Sequence, residues 1–223
     1  MPRQARFVLP GYLHHITQRG NYQQQIFQDN ADRIYYLKLI QHYANEYGND
    51  IFAFCLMSNH VHFIIRPQSH NSLAGIFCRA HQRYALYYHK KNKLAGHLWQ
   101  ERFYSCLLEG SHIPAAIRYV EQNPVRANIV DHAWDYSWSS AKAHLGKHYN
   151  IIEIADIKEY FTQPDWKKFL GYQEKDEHLI RQLKQATETG TVFGTTAFIQ
   201  DLENIYNRPL TPRKRGGQFK QVK

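Results

Sequence analysis

Apolar and polar positions along this 223-residue chain switch repeatedly between two periods. Residues 12–17 read as a strand closed by the turn signal Arg19-Gly20-Asn21. Asp29 then offers a helix cap. Ile34, Leu37, Ile40, Tyr43 and Ala44 recur at helical spacing up to Tyr47, where Gly48-Asn49-Asp50 stops the run. Two strands follow at 51–57 and 60–66, joined by a tight turn at Ser58-Asn59. Asn71 or Ser72 caps a second helix that runs to His89, and a basic loop spans 90–96. A strand at 103–108 leads into a third helix from Ser111, with Pro114 in its first turns. The order β-α-β-β-α-β-α, with one hairpin in the middle, predicts an α+β fold: a ferredoxin-like split βαβ antiparallel sheet with helices on one face. Past Gly146 the pattern weakens into short helical segments broken by Pro164, Gly171, Gly190, Gly194 and Pro209. A boundary is therefore expected between a domain at 1–146 and a small helical extension at 147–223.

The longest apolar run, 51–57, is seven residues and too short to cross a bilayer. No charged-then-apolar leader opens the sequence, so secretion is not expected. Cys55, Cys78 and Cys106 form neither a disulfide framework nor a ligand spacing, which fits a reducing cytoplasm. Charge adds a direction. The 28 Lys and Arg against 19 Asp and Glu give +9, which points to a polyanionic partner. The excess is uneven: residues 1–150 carry +7, residues 151–207 carry −4, and the last 16 hold six basic and no acidic side chains. Sixteen Tyr, 12 Phe and 4 Trp supply faces on which nucleobases stack, although most such rings belong to a core.

Two spacings carry candidate chemistry. In His60-Val61-His62 the period of two sends both imidazoles to one sheet face and Val61 to the other, where the helices are expected. Two imidazoles ~7 Å apart on a rigid strand can grip one divalent ion that takes a third ligand besides. The same motif also describes two ordinary, half-exposed sheet histidines. Tyr119 and Asn123 are i and i+4, on one helical face, and offer a nucleophile and a hard oxygen ligand. Pro124 disfavours helical geometry at Asn123, so a break or kink is expected there that exposes the amide carbonyl. The plainer alternative makes Tyr119 a core aromatic and Asn123-Pro124 a helix stop.

Five segments together resemble a known family. They are Gly11-Tyr-Leu-His-His-Ile-Thr-Gln-Arg-Gly-Asn21, Cys55-Leu-Met-Ser-Asn-His-Val-His62, Trp99-Gln-Glu-Arg-Phe103, Tyr119-Val-Glu-Gln-Asn-Pro-Val-Arg-Ala127 and Trp138-Ser-Ser140. In this order they resemble the REP-associated tyrosine transposases, single-tyrosine members of the HUH transposase superfamily. The resemblance covers residues 1–146 and extends more loosely to Gly190-Thr-Val-Phe-Gly194, Asn207-Arg-Pro-Leu210 and the basic tail.

The resemblance implies His60 and His62 as metal ligands with Asn123 as the third, Mg²⁺ or Mn²⁺ as the cofactor, and Tyr119 as the nucleophile. The chain departs from the family pattern at Ser58, where Pro is usual, and at Gln122, where His or Leu is usual; Gln122 is the alternative third ligand. The implied reaction is cleavage and rejoining of single-stranded DNA at a repeat hairpin through a 5′-phosphotyrosine. Implied DNA contacts are Arg3, Arg6, His15, Arg19, Arg83, Arg102 and Arg126, with Arg213, Lys214 and Arg215 as a basic arm. Each is equally a solvated surface charge, and His15 equally a packed structural histidine. Trp99 and Phe103 read as core aromatics rather than base-stacking rings. A bacterial, cytoplasmic, nucleoid-associated monomer is implied, with a dimer as the alternative. Three rivals share parts of the pattern: a catalytically silent hairpin-binding regulator, a replication-initiator-type HUH nickase, and a zinc hydrolase that forms no covalent protein–DNA species.

Overall fold

The computed structural model describes residues 6–147, 149–161, 165–171 and 177–211. The first half of the chain runs β1 (His14–Arg19), α1 (Asn30–Glu46), β2 (Asp50–Leu56), β3 (His60–Arg66), α2 (Ser72–Asn92), β4 (Tyr104–Leu108) and α3 (Ile113–Glu121). Then come α4 (Asn123–Arg126), α5 (Ala141–His144), α6 (Trp166–Gly171), α7 (Glu177–Thr189), β5 (Val192–Phe193) and α8 (Thr196–Tyr206). The strands form one open sheet in the order β2-β3-β1-β4-β5. The first four pair antiparallel, as the split βαβ reading requires, and β5 adds in parallel beside β4.

Local chemistry sets the element ends. The Asp29 side chain accepts from Asp32 N and caps α1, as its position implied. Helix α2 runs past the expected stop at His89 and ends where Lys93 takes left-handed backbone. His89, Lys90 and Lys91 fill its last turn, where cations suit the helix dipole. Residues 90–92 of the expected basic loop are thus helix, and the loop itself begins at Lys93. At Gly20 a Cβ would collide with the Gln24 carbonyl oxygen and the Ile26 side chain. Gly20 N also donates to Asn59 O at 2.8 Å, tying the end of β1 to the β2–β3 turn. Gly20→Ala is expected to cost ~2 kcal/mol through overpacking, measured by chemical denaturation; an unchanged midpoint would show that the turn can move away.

The alternation of β3 divides the core. Val61, Phe63 and Ile65 face α1 and α2, where they meet Ile16, Tyr36, Leu37, Ile40, Phe77 and Tyr84 in one buried cluster. This is the helical layer expected on one face. Ile64 with Cys55, Phe52 and Cys106 lies on the other face, beneath a second helical layer formed by α3, α6 and α7. Sequence patterning gave that second layer no place. Its α6 and α7 come from beyond residue 147, and they share the buried cluster with Ile117, Tyr119 and Val120 of α3. The next segment covers the β4 edge, with Leu107 N donating to Thr191 O and Glu109 N to Phe193 O.

Candidate active site

His60 and His62 open β3 on the face that α3 and α7 cover, and the register sets Arg19 opposite His60 and Thr17 opposite His62. Their rings lie 5.0 Å apart, centre to centre. His60 Nδ1 is 2.7 Å from Asn59 Oδ1. Asn59 turns its amide nitrogen to Gln23 O, so its oxygen accepts from His60 and leaves Nε2 as the lone-pair nitrogen. His62 Nδ1 is 3.0 Å from His15 Nε2, with the two rings stacked. His15 Nδ1 in turn is 2.8 Å from Thr187 Oγ1 on α7. Burial drives all three histidines towards the neutral form. It lowers His15 to about 3 with help from the Arg126 charge, and His60 to about 4 with help from Arg19. His62 falls well below its usual value, burial again leading.

Tyr119 stands edge-on to both inner histidines, its ring 5.7 Å from that of His62 and 5.8 Å from that of His15. It is only 7% exposed. Burial raises its pKa, and the positive charges of Arg126 and Arg19 pull the other way. The Arg126 guanidinium sits 4.2 Å from the Tyr119 ring centre and also donates to the Tyr119 carbonyl oxygen. The phenol therefore lies between two neutral imidazoles and a cation; burial keeps it protonated, and the Arg126 and Arg19 charges offset part of that cost.

The helix break falls at Gln122, one residue before the expected position. Pro124 takes the second position of α4, where its missing N–H costs nothing. Asn123 starts α4, and its Nδ2 donates to Tyr119 O and Val120 O at 3.1 Å each. Both carbonyls hold the nitrogen side, so Oδ1 takes no part in these bonds. Gln122 is buried, with Nε2 2.6 Å from Leu170 O on α6.

The remaining predicted contacts scatter. Arg19 is exposed beside His60. Arg6 places two nitrogens on Phe103 O, at 3.1 and 2.8 Å, and lies 3.7 Å over the Phe103 ring. With Arg102, Arg208, Glu101, Glu188 and Thr187 it lines a cleft of about 240 Å³ between β4 and the end of α7. Arg83 bonds Tyr43 Oη from α2, in the layer across the sheet, so it is not brought to the His60–His62 face. Its position on the helix, invisible in a charge count, decides this. Arg3, Arg213, Lys214 and Arg215 lie outside the described residues. Phe103 is core, and Trp99 stacks on His81 with Nε1 on His81 O.

Three residues escaped the sequence reading: Asn59 beyond its turn role, Thr187, and Glu121. Glu121 is fully buried two residues after Tyr119. Its Oε1 accepts from Ser140 Oγ at 2.5 Å and His144 Nδ1 at 2.6 Å, and its Oε2 from Trp166 Nε1 at 3.2 Å. Burial alone would lower the His144 pKa, but the Glu121 charge and hydrogen bond outweigh it and hold the imidazole above its ordinary value.

The family model of IS200-like transposases matches residues 10–123, just over half the chain and every element from β1 to α3. The chain belongs to the IS200-like transposase family. At its coarsest this gives the function: DNA transposition, by an enzyme class that cuts and joins DNA. Among solved structures, this IS200-like transposase is similar to a REP-associated tyrosine transposase bound to a REP hairpin. Identity is 18%, covering 70% of this chain and 93% of that one, with a TM-score of 0.52. That likeness confirms the fold. A candidate transposase from Deinococcus radiodurans R1 is 20% identical over 57% of this chain and 98% of its own, with a TM-score of 0.35. Comparison with curated proteins gives no match. Among the described residues of this IS200-like transposase, no helix is long and apolar enough to cross a membrane.

Proposed function

We propose that this chain is a metal-dependent, single-tyrosine HUH enzyme that nicks and rejoins single-stranded DNA at a repeat hairpin. The observation that carries the reading is the meeting of Tyr119 with His62 and His15 on one sheet face, beside His60. Residues 1–146 form the catalytic core in this reading, and 147–223 a helical extension with a basic, DNA-binding tail.

The donor set fits a divalent ion. His60 and His62 are neutral, and their Nδ1 atoms are occupied by Asn59 and His15, which leaves two Nε2 lone pairs. Asn123 adds a hard oxygen, and because Gln122 is buried against α6 while Asn123 is only half-buried, Asn123 is the favoured third ligand. In this reading the Asn123 amide oxygen completes the set. Two imidazoles and one amide oxygen leave room for water and phosphate oxygens, as Mg²⁺ or Mn²⁺ requires. When bound, such an ion polarises the scissile phosphate and offsets charge on its oxygens.

The chain's own residues supply the rest. Tyr119 Oη attacks phosphorus as its proton leaves, the P–O3′ bond breaks, and the departing oxygen takes a proton. A 5′-phosphotyrosine and a free 3′-hydroxyl result. Arg126 and Arg19 stabilise the phenolate that forms. Because the ester energy is kept in the phosphotyrosine, a second 3′-hydroxyl can reverse the step without ATP. Arg19 and Arg126 at the site, and Arg6 and Arg102 along the 240 Å³ cleft, contact phosphates. The REP hairpin held by the similar transposase supports a hairpin substrate here. The same proposal takes the protein as cytoplasmic and nucleoid-associated, a monomer with a dimer as the alternative.

Incubating the protein with labelled single-stranded hairpin DNA and Mn²⁺, then denaturing it, is expected to leave a labelled protein band. Chelator should abolish the band while sparing most hairpin binding. Binding without a band would make the chain a silent regulator. A band on origin sequences alone would make it an initiator-type nickase. Metal-dependent cleavage with no band at all would make it a hydrolase.

A further inference from the structure

The extension brings Thr187 Oγ1 into hydrogen-bond contact with His15 at the reaction centre, and the hydrogen bonds around that atom have a direction. Thr187 donates its only hydroxyl hydrogen to Leu183 O at 2.7 Å, the usual bond back along a helix. With that hydrogen committed, Oγ1 can only accept from its other neighbours. One is Cys106 Sγ at 3.2 Å and the other is His15 Nδ1 at 2.8 Å. One hydrogen and two lone pairs are then all used.

The consequence passes through two neutral rings. His15 carries its hydrogen on Nδ1 to meet Thr187, so its Nε2 is an acceptor. His62 lies 3.0 Å beyond and must place its own hydrogen on Nδ1. The remaining nitrogen, His62 Nε2, is left with the lone pair that a metal needs. With the chain of bonds reversed, His62 would carry a hydrogen on Nε2 and could not be a ligand. His60 has a separate device, because Asn59 fixes it from the adjacent turn.

We propose that Thr187 sets the tautomer of His62 through His15, so the C-terminal extension is a working part of the metal site rather than an appendage to it. His15 and Thr187 are positioning residues, since neither touches the ion or DNA in this role. The proposal rests on the functional reading above and deepens it.

Imidazole ¹⁵N NMR of the full-length, metal-free protein tests the tautomer, and titration with Mn²⁺ alone tests its effect. In the wild type, His62 is expected to show a protonated Nδ1 and a bare Nε2. Thr187→Val keeps the side-chain shape and removes the acceptor. It should move the His62 hydrogen towards Nε2 and weaken Mn²⁺ binding by about 10- to 100-fold, the usual effect of losing an outer-shell partner. Thr187→Ser keeps the hydroxyl and should restore both readouts. An unchanged tautomer and affinity in Thr187→Val overturns the proposal. So does an equal loss in Val and Ser variants, which would locate the effect in helix packing. If the wild type binds no Mn²⁺ yet Thr187→Val still moves the His62 hydrogen, the relay stands and the metal reading above falls.

Discussion

Replacing Tyr119 by Phe is expected to remove the covalent protein–DNA species and to slow strand cleavage by at least ~10³-fold, as loss of an attacking group does elsewhere. That loss corresponds to ~4 kcal/mol of transition-state stabilisation. The change deletes one oxygen and little else. Phe keeps the edge-on packing against His15 and His62 and the face beneath the Arg126 guanidinium. Stability should therefore stay within ~1 kcal/mol of the wild type. Hairpin affinity, which depends on phosphate contacts, should barely move. A quench-flow or gel assay of cleavage, with a filter assay of binding, separates these quantities. A labelled band in the Phe variant, traced to another residue, would show that Tyr119 is not the nucleophile.

The placement of Tyr119 also shows how far the sequence could be read. The order of strands and helices was legible because period-two and period-3.6 patterns are local, as in His60-Val61-His62 and the apolar stripe of α1. The face assignment of His60 and His62 followed from the same alternation. Val61 does meet α1 and α2, as expected. Asn123 was less legible. The conflict between Pro124 and helical geometry was visible, but the break moved to Gln122 because a proline fits the first turn of a new helix. Which face Arg83 occupies was not legible, because a basic residue counts the same on either face of a sheet. Thr187 carried no signal, since its partner His15 is 172 positions away and a threonine in a helix has many ordinary roles. The second helical layer and β5 were missed for the same reason: short, weakly periodic segments reveal their packing only through contacts distant in sequence.

Glu121 makes the second large prediction, because a buried carboxylate two residues from the nucleophile holds three elements together. Its partners are Ser140 just before α5, His144 in α5 and Trp166 at the start of α6. Glu121→Ala deletes one half of a buried ion pair and strands three donors, so a loss of ~3–5 kcal/mol is expected in chemical denaturation. The pH dependence identifies the ion pair. The folded-state pKa of His144 is raised, so its contribution is complete below the unfolded value near 6.5. It drains away as pH rises through the folded value. The gap between wild type and Glu121→Ala should thus be widest near ~pH 6 and narrow towards ~pH 9. The buried histidines lowered to about 3 or 4, among them His14, His15, His60 and His81, act in the opposite sense and weaken the fold as pH falls below about 6.5. They are common to both proteins and cancel in the difference. A gap that stays constant across this range would mean that His144 is uncharged in the fold and that Glu121 acts only as a hydrogen-bond acceptor. If the gap narrows as expected, the helix that carries Tyr119 is anchored to α5 by charge, and it loosens most in the variant under the conditions where His144 is protonated.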